Sequence, residues 1–437
     1  MTRSCPEGSL AGVMLPHVVI IGGGFAGLHA ARALRGAPVR VTLLDRRNHH
    51  LFFPLLYQVA TAGLNPGDIA EPIRRVLRRQ RNAVVLLAEV RGIDPGARTV
   101  RLDDGELPYD YLILAAGSVS NYFGHEAWAP HAPGLLSLDD ALEVRRRVLL
   151  AYEKAERSAA RGGDAPRLTF VVIGGGPTGV ELAGAIAEMS RHALARDFRR
   201  IDPGRSRVIL LEGADRLLTA MPAGLSARAA RALERLGVQV RTGAKVTSLD
   251  GEGVWLGEER IRAAAVFWAA GVTASPLAGS LGVPLDRAGR VAVEPDLSLP
   301  GRPEIFVAGD MAAVRHGAGQ VPALAPAAMQ QGRHAARNII LSLNRLPRRP
   351  FAYRDRGTLA TIGRAAAVAD FGRLKLSGYP AWLAWLGIHI FFLIGFRNRF
   401  LVLFQWAWAY VTYDRGSRLV LGGSGRGGAG AGAGARS

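Results

Sequence analysis

Two stretches of the chain carry the same succession of apolar, glycine and acidic positions. In the first, the apolar run Val18 to Ile21 has the length of a buried strand. It turns through Gly22, Gly24 and Gly27 in G-x-G-x-x-G spacing. Ala26, Ala30, Ala31 and Ala33 then let a helix lie close on a sheet, and a second apolar strand, Val39 to Leu44, ends on Asp45. Strand, turn, helix, strand and terminal acid in that order predict a dinucleotide site. The glycines let backbone approach a pyrophosphate, the helix N-terminus meets its charge, and the carboxylate accepts ribose hydroxyls.

The second stretch repeats the pattern. An apolar strand runs into Gly174, Gly176 and Gly179, and the strand Arg207 to Leu211 ends on Glu212. The longer interval before this acid predicts a helix from Thr178 running on towards Phe198. Glu212 suits an unphosphorylated ribose and repels a 2′-phosphate, which favours NADH over NADPH; Arg216 nearby weakens that exclusion.

Between the two, the loop after Asp45 carries His49, His50, Phe52, Phe53, Pro54 and Tyr57, which either wall a flavin ring or pack as ordinary core. Strands are expected over Val84 to Val90 and Thr99 to Leu102, then from Tyr109 into Ala115, Ala116 and Gly117, small residues where backbone can approach a cofactor. A helix from Ser137 to Arg161 and the turn Gly162 to Pro166 lead into the second unit, which continues through a helix from Ser226 to Leu236 and strands Val238 to Arg241, Lys245 to Leu249 and Ala265 to Ala270. A further strand, Glu304 to Val307, leads to Asp310, which either bonds a sugar-like hydroxyl chain or caps the next helix.

Near the C-terminus, Ala381 to Phe396 is apolar apart from His389, and Phe400 to Tyr413 is apolar apart from Gln405 and Thr412. The first run makes a helix of about 24 Å, short of the roughly 30 Å hydrocarbon core. Trp382, Trp385, Trp406 and Trp408, with Arg397, Arg399, Arg415 and Arg418, predict a monotopic anchor on an anionic lipid surface, its rings at headgroup level. The alternative is a pair of buried core or dimer helices. Beyond Gly422 the Gly, Ala and Arg repeat is expected to be disordered.

Composition narrows the chemistry. The chain has 437 residues, 49% of them hydrophobic, enough for two or three domains with real cores. Its single cysteine, Cys5, excludes a disulfide framework, a thiolate metal site and a redox dithiol, and no Cys/His cluster predicts a metal. The net charge of +19 is scattered and accompanied by no nucleic-acid motif, so nucleic acid is not expected. Residues Met1 to Pro16 lack the plan of a secretory signal, which predicts a cytoplasmic chain, and Met14 is an alternative start.

The paired fingerprints, the strand closing in Ala115-Ala116-Gly117 and the segment Ile305 to Asp310 resemble the two-dinucleotide-binding flavoprotein fold of the pyridine nucleotide:disulfide reductases. Within it, Arg46 to Leu64, Val171 to Met189 and Gly387 to Arg399 are similar to type II NADH:quinone dehydrogenases, the resemblance covering about His17 to Leu421. It implies an α/β fold of two Rossmann-like domains, the NADH domain inserted in the FAD domain, with a membrane-associating helical C-terminal region. The limits expected are an extension 1–16, the FAD domain in 17–135 and 296–345, the linker helix and NADH domain in 136–295, the anchor in 346–421 and a tail 422–437.

Site residues follow from the same resemblance. It puts Gly22, Gly24, Gly27, Asp45, Ala116 and Gly117 on FAD, with Asp310 on the ribityl chain, and Gly174, Gly176, Gly179 and Glu212 on NADH. Glu181 would stand near the nicotinamide and flavin; the plainer reading is an exposed acid in the helix's first turn. The family's Ala-Gln-x-Ala-x-Gln segment matches Ala325 to Gln330, but Pro326 replaces the first glutamine and shapes the entry to a helix from Ala327 to Leu343. Gln330, with Gln331 beside it, is left to aim an amide at the flavin or the quinone head.

The implied activity is hydride transfer from NADH to FAD and then of two electrons to a membrane quinone, ubiquinone or menaquinone, without proton pumping, on the cytoplasmic face of the inner membrane. Whether a homodimer forms is left open. The alternatives are an NADH-dependent ferredoxin or rubredoxin reductase, and a membrane-attached redox sensor without turnover.

Overall fold

The two repeated patterns become the centres of two open sheets. In chain order, the first segment supplies β1 (His17–Ile21), α1 (Phe25–Ala33), β2 (Arg40–Asp45), β3 (Ala83–Leu87) and β4 (Tyr111–Leu114). Helix α2 (Leu138–Ala160), capped by the Ser137 hydroxyl accepting from the Asp140 N–H, leads to β5 (Thr169–Ile173), α3 (Pro177–Glu188), β6 (Arg207–Leu211), α4 (Ala223–Arg235), β7 (Val238–Arg241) and β8 (Ala265–Trp268). The chain then returns through β9 (Ser298–Leu299), β10 (Arg302–Val307) and α5 (Ala325–Leu343).

The computed structural model describes residues 14–163, 167–317, 319–393, 396–412 and 416–420. Most of the N-terminal extension with Cys5, the end of the turn before β5, Tyr413, Arg415 and the tail beyond Gly422 lie outside the described residues, as does the Arg397 side chain.

The first sheet runs β9-β10-β4-β1-β2-β3, parallel throughout except for the antiparallel edge strand β9. The second runs β7-β6-β5-β8, all parallel. Strands β1 and β5 are buried along their whole length, as continuous apolar runs in two-sided parallel sheets must be. Because β10 joins β4 only after the second sheet is complete, the second unit is an insertion in the first.

Three elements differ from expectation. The strand expected over Val84 to Val90 ends at Leu87, and Val90–Asp94 belongs to a separate three-stranded sheet. Helix α3 ends at Glu188 and continues only as a π-helical turn, Met189–Ala193, short of Phe198. There the chain is drawn across to α2, where the Glu156 carboxylate accepts the N–H groups of Arg199, Arg200 and Ile201 at 3.0 to 3.1 Å. The strand expected over Lys245 to Leu249 forms only at Ser248–Asp250, in a hairpin with Gly253–Leu256.

The C-terminal region forms a three-stranded antiparallel sheet, β11 (Thr358–Thr361), β12 (Ala367–Phe371) and β13 (Leu374–Gly378), followed by α6 (Tyr379–Phe392) and α7 (Phe396–Thr412). No helix among the described residues is long and apolar enough to cross a membrane. Strand β11 packs on α3, and α6 lies on β12, so this region closes over the second unit.

Arg145 of α2 ties the parts together from inside and was not singled out by the sequence. It is 2% exposed. Its Nε and Nη2 donate to the Val59 carbonyl, Nη2 also to Leu64 O at 3.0 Å, and Nη1 to Ser417 O at 3.0 Å. Burial holds its pKa down to about 10, so it stays charged while satisfying three carbonyls from distant segments. Replacing it in Arg145→Met is expected to cost about 2 to 4 kcal/mol, because the carbonyls lose their donors. Chemical denaturation measures this, and a loss below about 0.5 kcal/mol would refute the clamp.

Candidate functional site

Each glycine turn divides its labour in the same way. Gly22 has φ +101°, and a Cβ there would fall on the Ala115 carbonyl; a Cβ at Gly27 would fall on the Gly22 carbonyl. In the second turn Gly174, φ +111°, abuts the Ala269 carbonyl, and Gly179 abuts Gly174. The protein's own backbone therefore requires the first and third glycines. The middle ones, Gly24 and Gly176, face open space with no atom within 4 Å of a Cβ. Such a cradle at a helix N-terminus suits a pyrophosphate.

The acids at the strand ends are fastened to these turns. Asp45 accepts the Gly23 N–H at 2.6 Å and the Arg47 N–H at 2.7 Å. Glu212 likewise accepts from Gly175 and, at 2.7 Å, from Ala214. Each carboxylate offers about four lone-pair sites and uses two here, leaving capacity for ribose hydroxyls. Ala116 Cα lies 3.1 Å from the position of a Gly22 Cβ, and Gly117 turns the chain with φ +71°.

Asp310 does not act as a cap. It makes no capping bond to the short helical turn it sits in; instead it accepts from the Ser118 hydroxyl at 2.9 Å, just beyond Gly117. Burial pushes its pKa up despite that bond. The neighbouring Gly309 N–H donates to Gln331 Oε1 at 2.6 Å.

That contact corrects the glutamine assignment. Gln330 turns its amide onto the backbone of Arg354, donating to its carbonyl at 2.9 Å and accepting its N–H at 3.0 Å. Gln331, 2% exposed, is the one directed at the strand ends. Helical geometry explains the exchange. Ala328, Gln331, Gly332 and Ala335 stand at i, i+3, i+4 and i+7 on one face of α5, and that face packs on α1, where a Cβ at Gly332 would meet the Ala26 carbonyl. Gln330, one residue earlier, points about 100° away.

Glu181 is also placed differently from its plainer reading. It lies beyond the first turn of α3, is not exposed, and has fully buried Val180 and Leu182 on either side. Although part of the residue reaches the surface, desolvation of its carboxyl pushes the pKa up to about 8, against a single N–H from Thr361 at 3.3 Å. The helix Leu56–Ala60 and β11 both pack on α3 beside it.

The aromatic loop after Asp45 continues into the C-terminal helices. Phe25, at the start of α1, meets His50 edge-on at 5.0 Å and Phe52 at 6.0 Å; Phe52 meets His389 at 6.1 Å. His389 stacks on Trp385 at 4.4 Å, and Trp385 meets Trp406 at 5.1 Å. His50 Nδ1 donates to the Gly23 carbonyl at 3.0 Å while its Nε2 is buried without a partner. Burial holds both His50 and His389 down to about 4, so both are neutral. Phe52 and Tyr57 are core residues, and His50 joins the loop to the first glycine turn.

The four C-terminal tryptophans do not share one level. Trp385 is buried and Trp406 donates to Gln58 Oε1 at 2.7 Å, whereas Trp408 is 56% exposed. With Trp408, Leu383, Phe391, Phe400, Leu403 and Phe404 form the outward apolar set. Sequence reasoning named Gln331 only as the neighbour of Gln330, noted His389 only as the one titratable side chain in an apolar run, and missed Gln58.

Residues 16–332 match the family model described as pyridine nucleotide-disulphide oxidoreductase, and residues 356–412 match the NDH2 C-terminal domain. The chain is 47% identical over 438 residues to the type II NADH:quinone oxidoreductase NdhA of Mycobacterium tuberculosis, covering 96% of this chain and 92% of the relative. It is also 47% identical over 415 residues to the type II NADH:quinone oxidoreductase Ndh of the same organism, covering 91% and 89%. NDH2 from Plasmodium falciparum, solved in complex with NADH, shares the fold with a TM-score of 0.83 over 94% of this chain and 100% of that one, at 19% identity.

The open cradles make a separable test. A Cβ at Gly24 or Gly176 has no protein atom within 4 Å, so Gly24→Val and Gly176→Val should both fold. Gly24→Val is expected to lose bound flavin, read by absorbance, whereas Gly176→Val should keep the flavin and raise the KM for NADH by about tenfold or more, a loss of about 1.4 kcal/mol. Unchanged flavin content in Gly24→Val would reject the cradle.

Proposed function

The chain belongs to the type II NADH:quinone oxidoreductases of the pyridine nucleotide-disulphide oxidoreductase family, and on that premise we propose how its residues divide the work. It is an enzyme that transfers electrons from NADH to a quinone without pumping protons, using FAD. The observation that supports the site assignment is the duplicated glycine cradle with its anchored acid, which fits one dinucleotide in each unit. Bound FAD supplies the two-electron chemistry between NADH and quinone.

Gly22, Gly24, Gly27 and Asp45 hold the FAD pyrophosphate and adenosine ribose, the backbone at Ala116 and Gly117 approaches the flavin portion, and Asp310 bonds the ribityl hydroxyls. Gly174, Gly176, Gly179 and Glu212 hold NADH in the same manner. Gln331 fixes the Gly309 N–H and so the aim of Asp310. Gln330 acts on the loop at Arg354, outside the role first expected of it. The neutral rings of His50, Phe52 and His389 exclude water along the path to the outward apolar face, where a quinone arrives from the lipid. Glu181 holds or releases a proton at its carboxyl oxygen close to neutral pH.

The enzyme is peripheral to a membrane, and the exposed aromatic set of α6 and α7 docks it on the cytoplasmic face against anionic lipid. The fold's units correspond to the FAD domain in 17–135 and 296–345, the NADH domain in 136–295 and the anchor in 346–421. Nucleic acid is not a partner of this reading.

Anaerobic titration with NADH is expected to bleach the flavin band, and a soluble quinone to restore it. Recovery only with a one-electron iron–sulfur acceptor would overturn the quinone assignment. Glu181→Gln is expected to slow turnover roughly 100-fold with little change in the KM for NADH. The raised carboxyl also sets a pH signature. The folded state binds the proton more tightly, so stability falls as pH rises from the ordinary value of 4.5 towards about 8 and then levels off. Melting temperatures of wild type should therefore fall relative to those of Glu181→Gln as pH rises through that window, the gap closing or reversing if wild type is the more stable at low pH and widening if the Gln variant is; parallel curves would refute a buried titrating carboxyl.

A further inference from the structure

Away from both cradles, the C-terminal end of α1 and the helix Ile73–Leu77 with the residues after it line a half-open pocket of about 430 Å³. Its lining is Arg32, Arg35, Arg75, Arg78 and Arg79, over a floor of Val76 and Leu77, with Gln80. Some of these charges have a local reason. Arg32 closes the last turn of α1, where a cation meets the helix dipole, and Arg75 pairs with Glu71 at 2.9 Å. The convergence has none. Among the described residues, no carboxylate lies within ion-pair distance of Arg32, Arg35, Arg78 or Arg79.

Five guanidinium groups around one concavity repel each other, and a concave wall concentrates their field. The scaffold beneath is fixed: Gln80 is buried and donates to the Ala31 carbonyl at 2.7 Å, locking the second helix's end to α1. The positive field reaches beyond the cavity. His29, one turn earlier on α1, is held down to about 4 by burial and then by the charges of Arg333 and Arg32. Arg333 is itself lowered by burial and then by Arg356, Arg32 and Arg337.

We infer that this arginine-lined cavity is a binding site for an anion carrying two or more phosphate groups. Guanidinium forks match phosphate oxygens in pairs, and four unneutralised arginines exceed the charge of one phosphate dianion. A diphosphate or triphosphate balances them, and the cavity falls within the usual range of ligand sites. The chemistry is shared by a lipid headgroup with two phosphates and by a soluble polyphosphate or nucleotide. The site is separate from the nucleotide cradles and does not depend on their assignment.

The test is calorimetric titration of the flavin-loaded enzyme with inorganic tripolyphosphate at low salt, where guanidinium–phosphate attraction is least screened. Saturable binding is expected, weakened at least tenfold in Arg78→Gln/Arg79→Gln and lost when Arg32→Gln/Arg35→Gln are added. Arg260→Gln, a surface arginine of the second unit, should bind as wild type does. Flavin content and quinone turnover without the anion verify folding, and the double variant suffices if the quadruple one does not fold. Displacement of tripolyphosphate by cardiolipin vesicles assigns the site to lipid; failure to displace it assigns the site to soluble phosphates. No saturable binding, or equal binding by wild type and the double variant, overturns the proposal.

Discussion

Backbone packed where a side chain would otherwise stand is the constraint that orders this molecule. Gly22 against Ala115, Gly27 against Gly22, and Gly332 against Ala26 bring a turn onto a strand end, a helix onto a turn, and a helix onto a helix. None of these approaches survives a Cβ. The first two set the start of α1 at the carboxyl ends of β1 and β4, and the third presses α5 against α1. With α5 so held, Gln331 has one direction to face, and Gly309 and Asp310 are positioned by it. The second unit repeats the first two approaches at Gly174 and Gly179. Two independent cradles thus arise from one local solution used twice.

The C-terminal region packs both on the second unit and on the aromatic loop after Asp45. Its inner face carries Trp385 into the core and His389 against Phe52, while its outer face leaves Phe400, Phe404 and Trp408 to the surroundings. A helix that is apolar all round serves both needs at once, because either side can be desolvated. Arg145 fastens the same region from below by gathering carbonyls of Val59, Leu64 and Ser417. Movement of the C-terminal segment would leave a buried guanidinium short of an acceptor, which opposes such movement strongly.

Charge is used in two opposite ways. Near the cradles burial works against charge: it holds His50 and His389 down to about 4, pushes Glu181 up to about 8 and raises Asp310 above the ordinary carboxylate value. Low local charge of the protein leaves the field near the bound groups to be set by backbone dipoles and the anchored acids. On the outside many arginines pair with carboxylates, but Arg32, Arg35, Arg78 and Arg79 around the pocket beside α1 do not among the described residues. The net charge of +19 is thus carried largely at the surface, the buried Arg145 being an exception.

The sequence alone determined the two α/β units, the order of their strands about each glycine turn, the acids Asp45 and Glu212, and the absence of thiol chemistry. These follow from local rules: apolar run length, the sterics of glycine, and the residue at a strand's end all act within one βαβ unit. Only the tertiary structure decided that Gln331 and not Gln330 reaches Gly309, that the Glu181 carboxyl is desolvated, that Trp385 points inward while Trp408 points out, and that Arg145 is buried. Each depends on which side of a helix meets another element distant in sequence, as α5 meets α1, α3 meets β11 and α6 meets the loop at Phe52. A helix places neighbouring residues about 100° apart, so contact with a remote partner selects among adjacent side chains that sequence spacing leaves equivalent.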